Sequence, residues 1–218
     1  MSNLYGNQHR ALQKIFDTEK LANAVAANIV LDELAPEHKG FIESRDMFFL
    51  TTIDHRGYPT CSHKGGNPGF VRALDDKTLA FPSYDGNGMF LSMGNITTNP
   101  KIGMLFIDFE TPHRVRVHGT ATMDVSSPLL KTFPGAEIIV TVNITEVFIN
   151  CPRYIHKYQR IASSSYVPKE DCSTPFAQWK RIDTLQESLP ERDQHIAETL
   201  GGTITTEQYV EMVVKGKA

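Results

Sequence analysis

The sequence predicts a mainly β fold of the α+β kind, an antiparallel barrel or meander with flanking helices. Three observations lead there. Near Met47 the apolar spacing changes from three and four to strand-like alternation. From that point short β-rich runs are separated by "DHRG", "NPG", "DDK" and "TPH", all turn chemistries. The run from 136 to 150 alternates, which places Ile138, Val140, Val142, Ile144 and Phe148 on one face of a half-buried strand.

The elements follow in order. Between residues 8 and 34, Leu12, Ile15, Leu21, Val25 and Ile29 recur at helical spacings, with a break and cap at Asp17 or Thr18, so this region reads as two helical pieces. Pro36 suits the first turn of a short helix that runs through Ser44. Strands are expected at 47–53, 58–64, 70–74, 77–82, 101–108, 114–123 and 136–150. One helix interrupts them at 88–98: Asn87 is a good N-cap, Met89, Met93 and Ile96 form an apolar stripe, and Asn99 followed by Pro100 ends it. Ser92 and Asn95, three apart, fall together on another face of that helix. After about residue 160, "SSSYVPKEDCSTP" reads as an exposed linker, and "PERDQHIAETLGG" and "TTEQYVEMVVKG" as short helices closed by glycine. The chain thus divides into N-terminal helices packing on the barrel (1–45), the barrel (46–160), and a C-terminal linker with short helices (161–218). Packing of this tail on the barrel and packing on a partner subunit both fit the sequence.

Composition excludes some classes of function. The 218 residues hold 22 basic and 25 acidic side chains, a net charge of −3, which gives no general electrostatic reason to bind nucleic acid or an anionic membrane. No window approaches the roughly 18 apolar residues of a membrane span, and "MSNLYGNQHR" has no apolar core of the secretory type, so a soluble, cytoplasmic protein is expected. The cysteines Cys61, Cys151 and Cys172 are odd in number and lack CxxC spacing, which argues against a disulfide framework and against a zinc knuckle. His55, His63, His113 and His118 show no HxH or HExxH spacing, and no metal is expected. Cys151, after a buried strand, reads as a packed thiol.

Three segments carry candidate chemistry. In "LAFPSYDGNGMFLSMGN" an apolar strand runs into a glycine-rich turn and a helix start, where free N–H groups beside Ser83 and Tyr84 suit a phosphate or carboxylate, or form an ordinary capped loop. In "SHKGGNPGF" Lys64 precedes paired glycines, which signal either close backbone approach to something flat or a β-bulge with an exposed lysine. In "HRVRVHG" Val115 and Val117 alternate with Arg114, Arg116 and His118, giving a cationic strand face that is either solvated or covered by a subunit or an anionic ligand.

Taken in order, "MFFLTTID.RGYP", "SHKGGNPGF", "LDDKTLAFPSYDGNGMF.S.GNI..NPKIGMLFIDF", "R.R.HGTA" and "INCPRYI" resemble the FMN-binding split-barrel family of pyridoxamine 5'-phosphate oxidase-like proteins, over about residues 40–156. More narrowly they resemble its flavin-binding branch with a GG(N/P)PGF segment. The resemblance implies a six-stranded antiparallel split β-barrel with flanking helices that forms a homodimer, with an FMN in each of two interface clefts. It implies a flavin phosphate near Ser83, Tyr84, Asn87, Gly88, Met89 and Ser92, and an isoalloxazine and ribityl chain along His63, Lys64, Gly65 and Gly66. It further implies that Arg114, Arg116 and His118 reach the site from the partner. Lys64 or Arg116 near the N1/O2 edge would stabilise the anionic reduced flavin, and His63 or His118 would manage a proton. Two departures stand out. Gly88 replaces an arginine that many relatives carry, and the tail lacks the substrate-binding segment of true pyridoxamine phosphate oxidases, which argues against a vitamin B6 enzyme. The implied activity is an FMN-dependent oxidoreductase that takes hydride from NAD(P)H or an organic substrate. The alternatives are a flavin carrier or sensor without turnover, or a split barrel holding deazaflavin or haem.

Overall fold

The computed structural model describes residues 4–170 and 173–217, so Cys172 and any reading of it lie outside the described residues. The chain forms two compact units, Met1–Ser163 and Ser164–Ala218.

The first unit runs α1 (Asn7–Ile15), α2 (Glu19–Asn28), α3 (Pro36–Glu43), β1 (Met47–Ile53), β2 (Pro59–Gly65), β3 (Arg72–Ala73), β4 (Thr78–Tyr84), α4 (Leu91–Thr98), β5 (Lys101–Asp108), β6 (His113–Asp124) and β7 (Ala136–Ile149). All strand pairs are antiparallel, in the order β2-β1-β5-β6-β7-β4-β3. The sheet has seven strands rather than six, because the run expected at 70–74 contributes a two-residue strand, and it stays open between edges β2 and β3. Phe48, Phe81 and Phe106 are fully buried on its inner face, with Phe48 edge-on to Phe81 and stacked on Phe106, each at 5.1 Å between centroids. Burial of one such side chain contributes about 1.5–3 kcal/mol, so this aromatic cluster is a main source of the unit's stability.

The last strand departs from its expected alternation. Ile138, Val140, Val142 and Ile144 face the core, but Phe148 does not. β6 and β7 shift register at His118/Gly119, and Thr145 is the extra residue on β7. A one-residue bulge inverts every side chain beyond it. Val147 therefore takes the core position, and Phe148 turns to the outer face beside Arg116 and His118.

Of the N-terminal helices, α3 packs through buried His38 and Ile42, whereas α1 and α2 bury no side chain. Leu12, Ile15, Phe16 and Leu21 are exposed. Their break falls where expected, with Asp17 at φ 51° and Thr18 at the N-cap position, although Thr18 makes no side-chain cap bond. Beyond α2, Leu31 and Val147 exchange two backbone hydrogen bonds and tie this segment to β7.

His38 Nδ1 accepts the Ala35 N–H at 3.2 Å and so caps α3. Burial holds its pKa below the ordinary histidine value, with Glu37 opposing and His113 adding to the lowering. The folded state thus prefers neutral His38, while the unfolded chain protonates it near pH 6.5. Stability from this group is complete above the unfolded pKa and lost as pH falls below it. The unfolding midpoint should drop between about pH 7 and pH 5, and His38→Leu should flatten that slope. An unchanged slope would show that His38 does not carry it.

The helix expected at 88–98 starts three residues later. Phe90 occupies the N-cap position of α4 in left-handed backbone, φ 48° and ψ 28°, and Gly88 has φ 75°. Asn87 is not the cap. Its Oδ1 accepts the Met89 N–H at 3.1 Å, a local turn that competes with helix capping. Met89 therefore lies outside the helix and is exposed, and the apolar stripe shrinks to the buried Met93 and Ile96. Asn99 ends the helix before Pro100 as expected.

The second unit contains α5 (Ile196–Thr199) and α6 (Thr206–Val214), matching the two glycine-closed helices, together with short 3-10 turns between 178 and 193. Thr205 and Gln208 form a capping box on α6. A feature not expected from the sequence is the buried pair Lys180 Nζ–Asp193 Oδ2 at 2.8 Å. Among the described residues no helix is long and apolar enough to cross a membrane.

Candidate functional site

A cleft of about 200 Å³ opens between β2, one edge of the sheet, and the end of β4, next to the other edge. Ser62 and Lys64 of β2 form one side, and Ser83 and Tyr84 of β4 another. The turn from Gly86 to Leu91 and the first residues of α4, Ser92 and Met93, complete it.

The pleat decides which β2 residues reach this cleft. Ser62 and Lys64 pair with Leu50 and Phe48 and share their inward face, whereas His63 pairs with Phe49 on the other face. Lys64 is the one charged side chain lining the cleft. It is half-buried, burial lowers its pKa, and it makes no hydrogen bond or ion pair among the described residues. A partly desolvated cation without a counter-charge is costly, and an anion placed there would relieve that cost. Tyr84 is also half-buried, and burial raises its pKa despite the opposing charge of Arg72, so its phenol remains a proton donor.

The floor is fixed by a polar network. The Ser62 and Ser92 hydroxyls lie 2.9 Å apart, and Asn95 Nδ2 donates to Thr52 Oγ1 and Thr60 Oγ1, each at 3.0 Å. Thr52 Oγ1 and Thr60 Oγ1 are 2.7 Å from each other. Thr52, Ser92 and Asn95 are buried, so water competes little for these bonds, which hold α4 against β1 and β2. Sequence reasoning paired Ser92 with Asn95 but missed Ser62, Thr52 and Thr60. The available signal was a run of alternate polar residues on β2, at 60, 62 and 64, facing an otherwise apolar interior.

Of the two readings of the paired glycines, close approach to something flat is the one that Gly66 meets. A Cβ on Gly66 would sit 2.4 Å from Phe70 Cγ, so the flat group that approaches this backbone is the chain's own Phe70. A Cβ on Gly65 would meet the His63 ring at 3.0 Å. His63, Gly65 and Gly66 do not line the cleft, whereas Lys64, Ser83, Tyr84, Asn87, Gly88, Met89 and Ser92 do.

The cationic face of β6 lies on the opposite side of the sheet. Arg116 and His118 border a separate depression of about 430 Å³ with Thr51, Ile53 and the first half of β5. His118 Nδ1 lies 2.9 Å from Glu146 Oε2, and the Arg116 guanidinium lies over the Phe148 ring at 5.6 Å. Among the described residues, Arg114 Nε and Asn150 Oδ1 are buried without a hydrogen-bond partner. This face is neither plainly solvated nor covered within its own chain.

Cys151 is not a packed thiol. It is exposed, and its pKa is lowered by the backbone N–H of Arg153, then by Arg153 Nε donating to its sulfur at 3.3 Å, with the charges of Arg153 and Arg114 adding to this.

The family model described as pyridoxamine 5'-phosphate oxidase matches residues 34–146, which contain the cleft and both strand faces. No curated protein matches the chain. Among solved structures, the chain is similar to Group A Streptococcus HupZ at 19% identity and TM-score 0.44, covering 58% of this chain and 99% of that one. A putative pyridoxamine 5'-phosphate oxidase from Lactobacillus delbrueckii is similar at 27% identity and TM-score 0.44, covering 54% and 95%. An FMN-binding protein from Syntrophomonas wolfei is similar at 11% identity and TM-score 0.40, covering 66% and 98%.

Proposed function

We propose that this chain, which belongs to the pyridoxamine 5'-phosphate oxidase family, binds a flavin in the cleft between β2 and β4 and is an FMN-dependent oxidoreductase. The observation that carries this reading is Lys64, a half-buried and unpaired cation in a cleft with no carboxylate on its walls. The residues fit the group: one ammonium for a negative charge, the Ser83 and Tyr84 hydroxyls as donors, and open space beside Gly86 and Gly88 where backbone approaches without a side chain.

Bound FMN would supply hydride and electron transfer, chemistry that belongs to the cofactor. The chain's own residues would bind and tune. Lys64 would offset negative charge on the phosphate or on the ring edge. Tyr84 would donate a hydrogen bond from a phenol that stays protonated across the physiological range. The Asn95 network would keep α4 and β2 at a fixed separation, so that no binding energy is spent on ordering the walls. Gly88 stands at φ 75°, backbone in which the arginine of many relatives would be strained, so Lys64 is the cation on which the phosphate has to depend. The hydride donor is proposed to be NAD(P)H or a small organic molecule. A homodimer is part of the proposal: a second copy would cover the Arg114, Arg116 and His118 face and give the buried Arg114 Nε an acceptor.

Incubation with FMN followed by gel filtration tests the reading. The protein should elute as a dimer carrying flavin, with shifted absorption bands and quenched flavin fluorescence, and the loaded protein should consume NAD(P)H or another reductant. Free flavin separating completely from the protein would refute binding, and bound flavin without turnover by any reductant would leave a carrier in place of an enzyme.

A further inference from the structure

The chain that leaves β7 comes back to the turn between β5 and β6 before the first unit ends. The Tyr158 N–H donates to the Phe109 carbonyl at 3.0 Å, the two rings meet edge to face at 5.4 Å, and the Arg160 N–H donates to Glu110 Oε1 at 3.1 Å. Arg160 then reaches the residue that precedes β1, its guanidinium 2.6 Å from Asp46 Oδ2. Residues 158–160 thus bridge a cavity of about 480 Å³ whose other walls include Met47, Pro68 and Ile107. A second ion pair lines the same cavity, Arg45 with Asp108 at 2.6 Å. Those two side chains are 20% and 18% exposed, and the Asp108 carboxylate also accepts the Glu110 and Thr111 N–H groups, so this pair is a fixed wall. Arg160 and Asp46 are 53% and 36% exposed and Tyr158 is 62% exposed, so water and salt reach the contacts that hold the bridging segment. Exposed hydrogen bonds with little apolar burial place a segment at the low end of local stability.

Asp46 makes a second contact, on the other side. Its carbonyl accepts the Gly66 N–H at 2.9 Å, one step beyond the last register pair of β1 and β2, Met47 with Gly65. One residue therefore holds the bridging segment by its carboxylate and the end of β2 by its carbonyl. Lys64 lies two positions before Gly66 on that same strand end. We propose that residues 158–160 are a strap latched by Arg160 on Asp46, that rising ionic strength opens it without unfolding the unit, and that through Asp46 the latch sets how firmly the end of β2 is held. Arg160 and Asp46 are then positioning residues for Lys64. Only this last step borrows from the flavin reading, which gives Lys64 its ligand; the strap and its opening stand on the contacts alone.

Amide hydrogen exchange, followed by NMR on the full chain without flavin, tests this. Raising sodium chloride from about 0.01 M to about 1 M shortens the screening length from about 30 Å to about 3 Å. Exchange at the Tyr158 and Arg160 amides should speed up by about two- to fivefold, the range for losing an exposed ion pair, and the Gly66 amide should move in the same direction. Arg160→Gln should show the fast rates already at low salt and lose the salt response, whereas Arg160→Lys should keep it. Asp46→Asn should match Arg160→Gln and add nothing to it, because the two side chains act as one latch. Unfolding midpoints verify that the variants remain folded, and Asp46→Asn serves as the second variant if Arg160→Gln does not. Tyr158 and Arg160 amides indifferent both to salt and to loss of the latch would overturn the strap. A strap that opens while Gly66 keeps its rate would overturn the hold on β2. Flavin binding stands or falls separately on the FMN experiment.

Discussion

Lys180→Met is expected to destabilise the second unit by about 3–5 kcal/mol, the usual result of stranding one partner of a buried ion pair. Lys180 and Asp193 are 5% and 7% exposed, and the Lys180 ammonium also lies 5.8 Å from the Phe176 and Trp179 rings. Removing the ammonium leaves the Asp193 carboxylate in a site that water reaches poorly. The chain has one tryptophan, Trp179, so its emission reports this unit alone. A shift to longer wavelength at lower denaturant in Lys180→Met, largely restored in Lys180→Met with Asp193→Leu, is the expected result. Apolar replacement of both partners removes the stranded charge as well as the bond. An unchanged midpoint in the single variant would show that the pair is not a determinant of the unit.

The second large effect concerns the paired glycines. Gly66→Ala puts a Cβ 2.4 Å from Cγ and 2.6 Å from Cβ of Phe70, a buried ring stacked on Phe48 at 5.8 Å. Phe70 cannot withdraw without disturbing the aromatic core, and overpacking of this kind costs about 1–3 kcal/mol. Gly65→Ala meets only the exposed ring of His63 at 3.0 Å, which can rotate aside, so its cost should be small. Chemical unfolding of the two variants measures the difference. Equal and small losses would mean that Phe70 repacks freely and that Gly66 is not required by the core.

These particulars show why some of the molecule was legible in the sequence and some was not. Strands with strict alternation were placed to within a residue or two because pleating gives each side chain its face, as in β1, where Phe48, Leu50 and Thr52 all point inward. The same pleat separates His63 from Lys64, so of the two residues that the family resemblance placed along one ligand, Lys64 faces the cleft and His63 does not. The bulge at Thr145 could not be read because alternation continues through it in the letters while the backbone inverts, which is how Phe148 reached Arg116. Asn87 was a reasonable cap by preference, but its carboxamide closed a turn one step earlier. The strand expected at 70–74 shortens to the two residues of β3, a run too short for any period to fix its ends. Lys180 and Asp193 belong to types that ordinarily face water, and nothing local to them signals burial. The cleft was partly legible. Lys64 and the turn at 83–92 were singled out for their residue types, and the open edge of the sheet brings them together, a relation that spans about twenty positions of chain and leaves no local trace.

Titration of FMN into the wild-type chain and into Lys64→Ala tests most directly whether the unpaired lysine makes this cleft a flavin site. Loss of a charge-assisted contact should weaken FMN binding by about tenfold or more with the unfolding midpoint unchanged, and Lys64→Arg should keep most of the affinity. Equal dissociation constants for wild type and Lys64→Ala would contradict the account and move the flavin away from the cleft between β2 and β4.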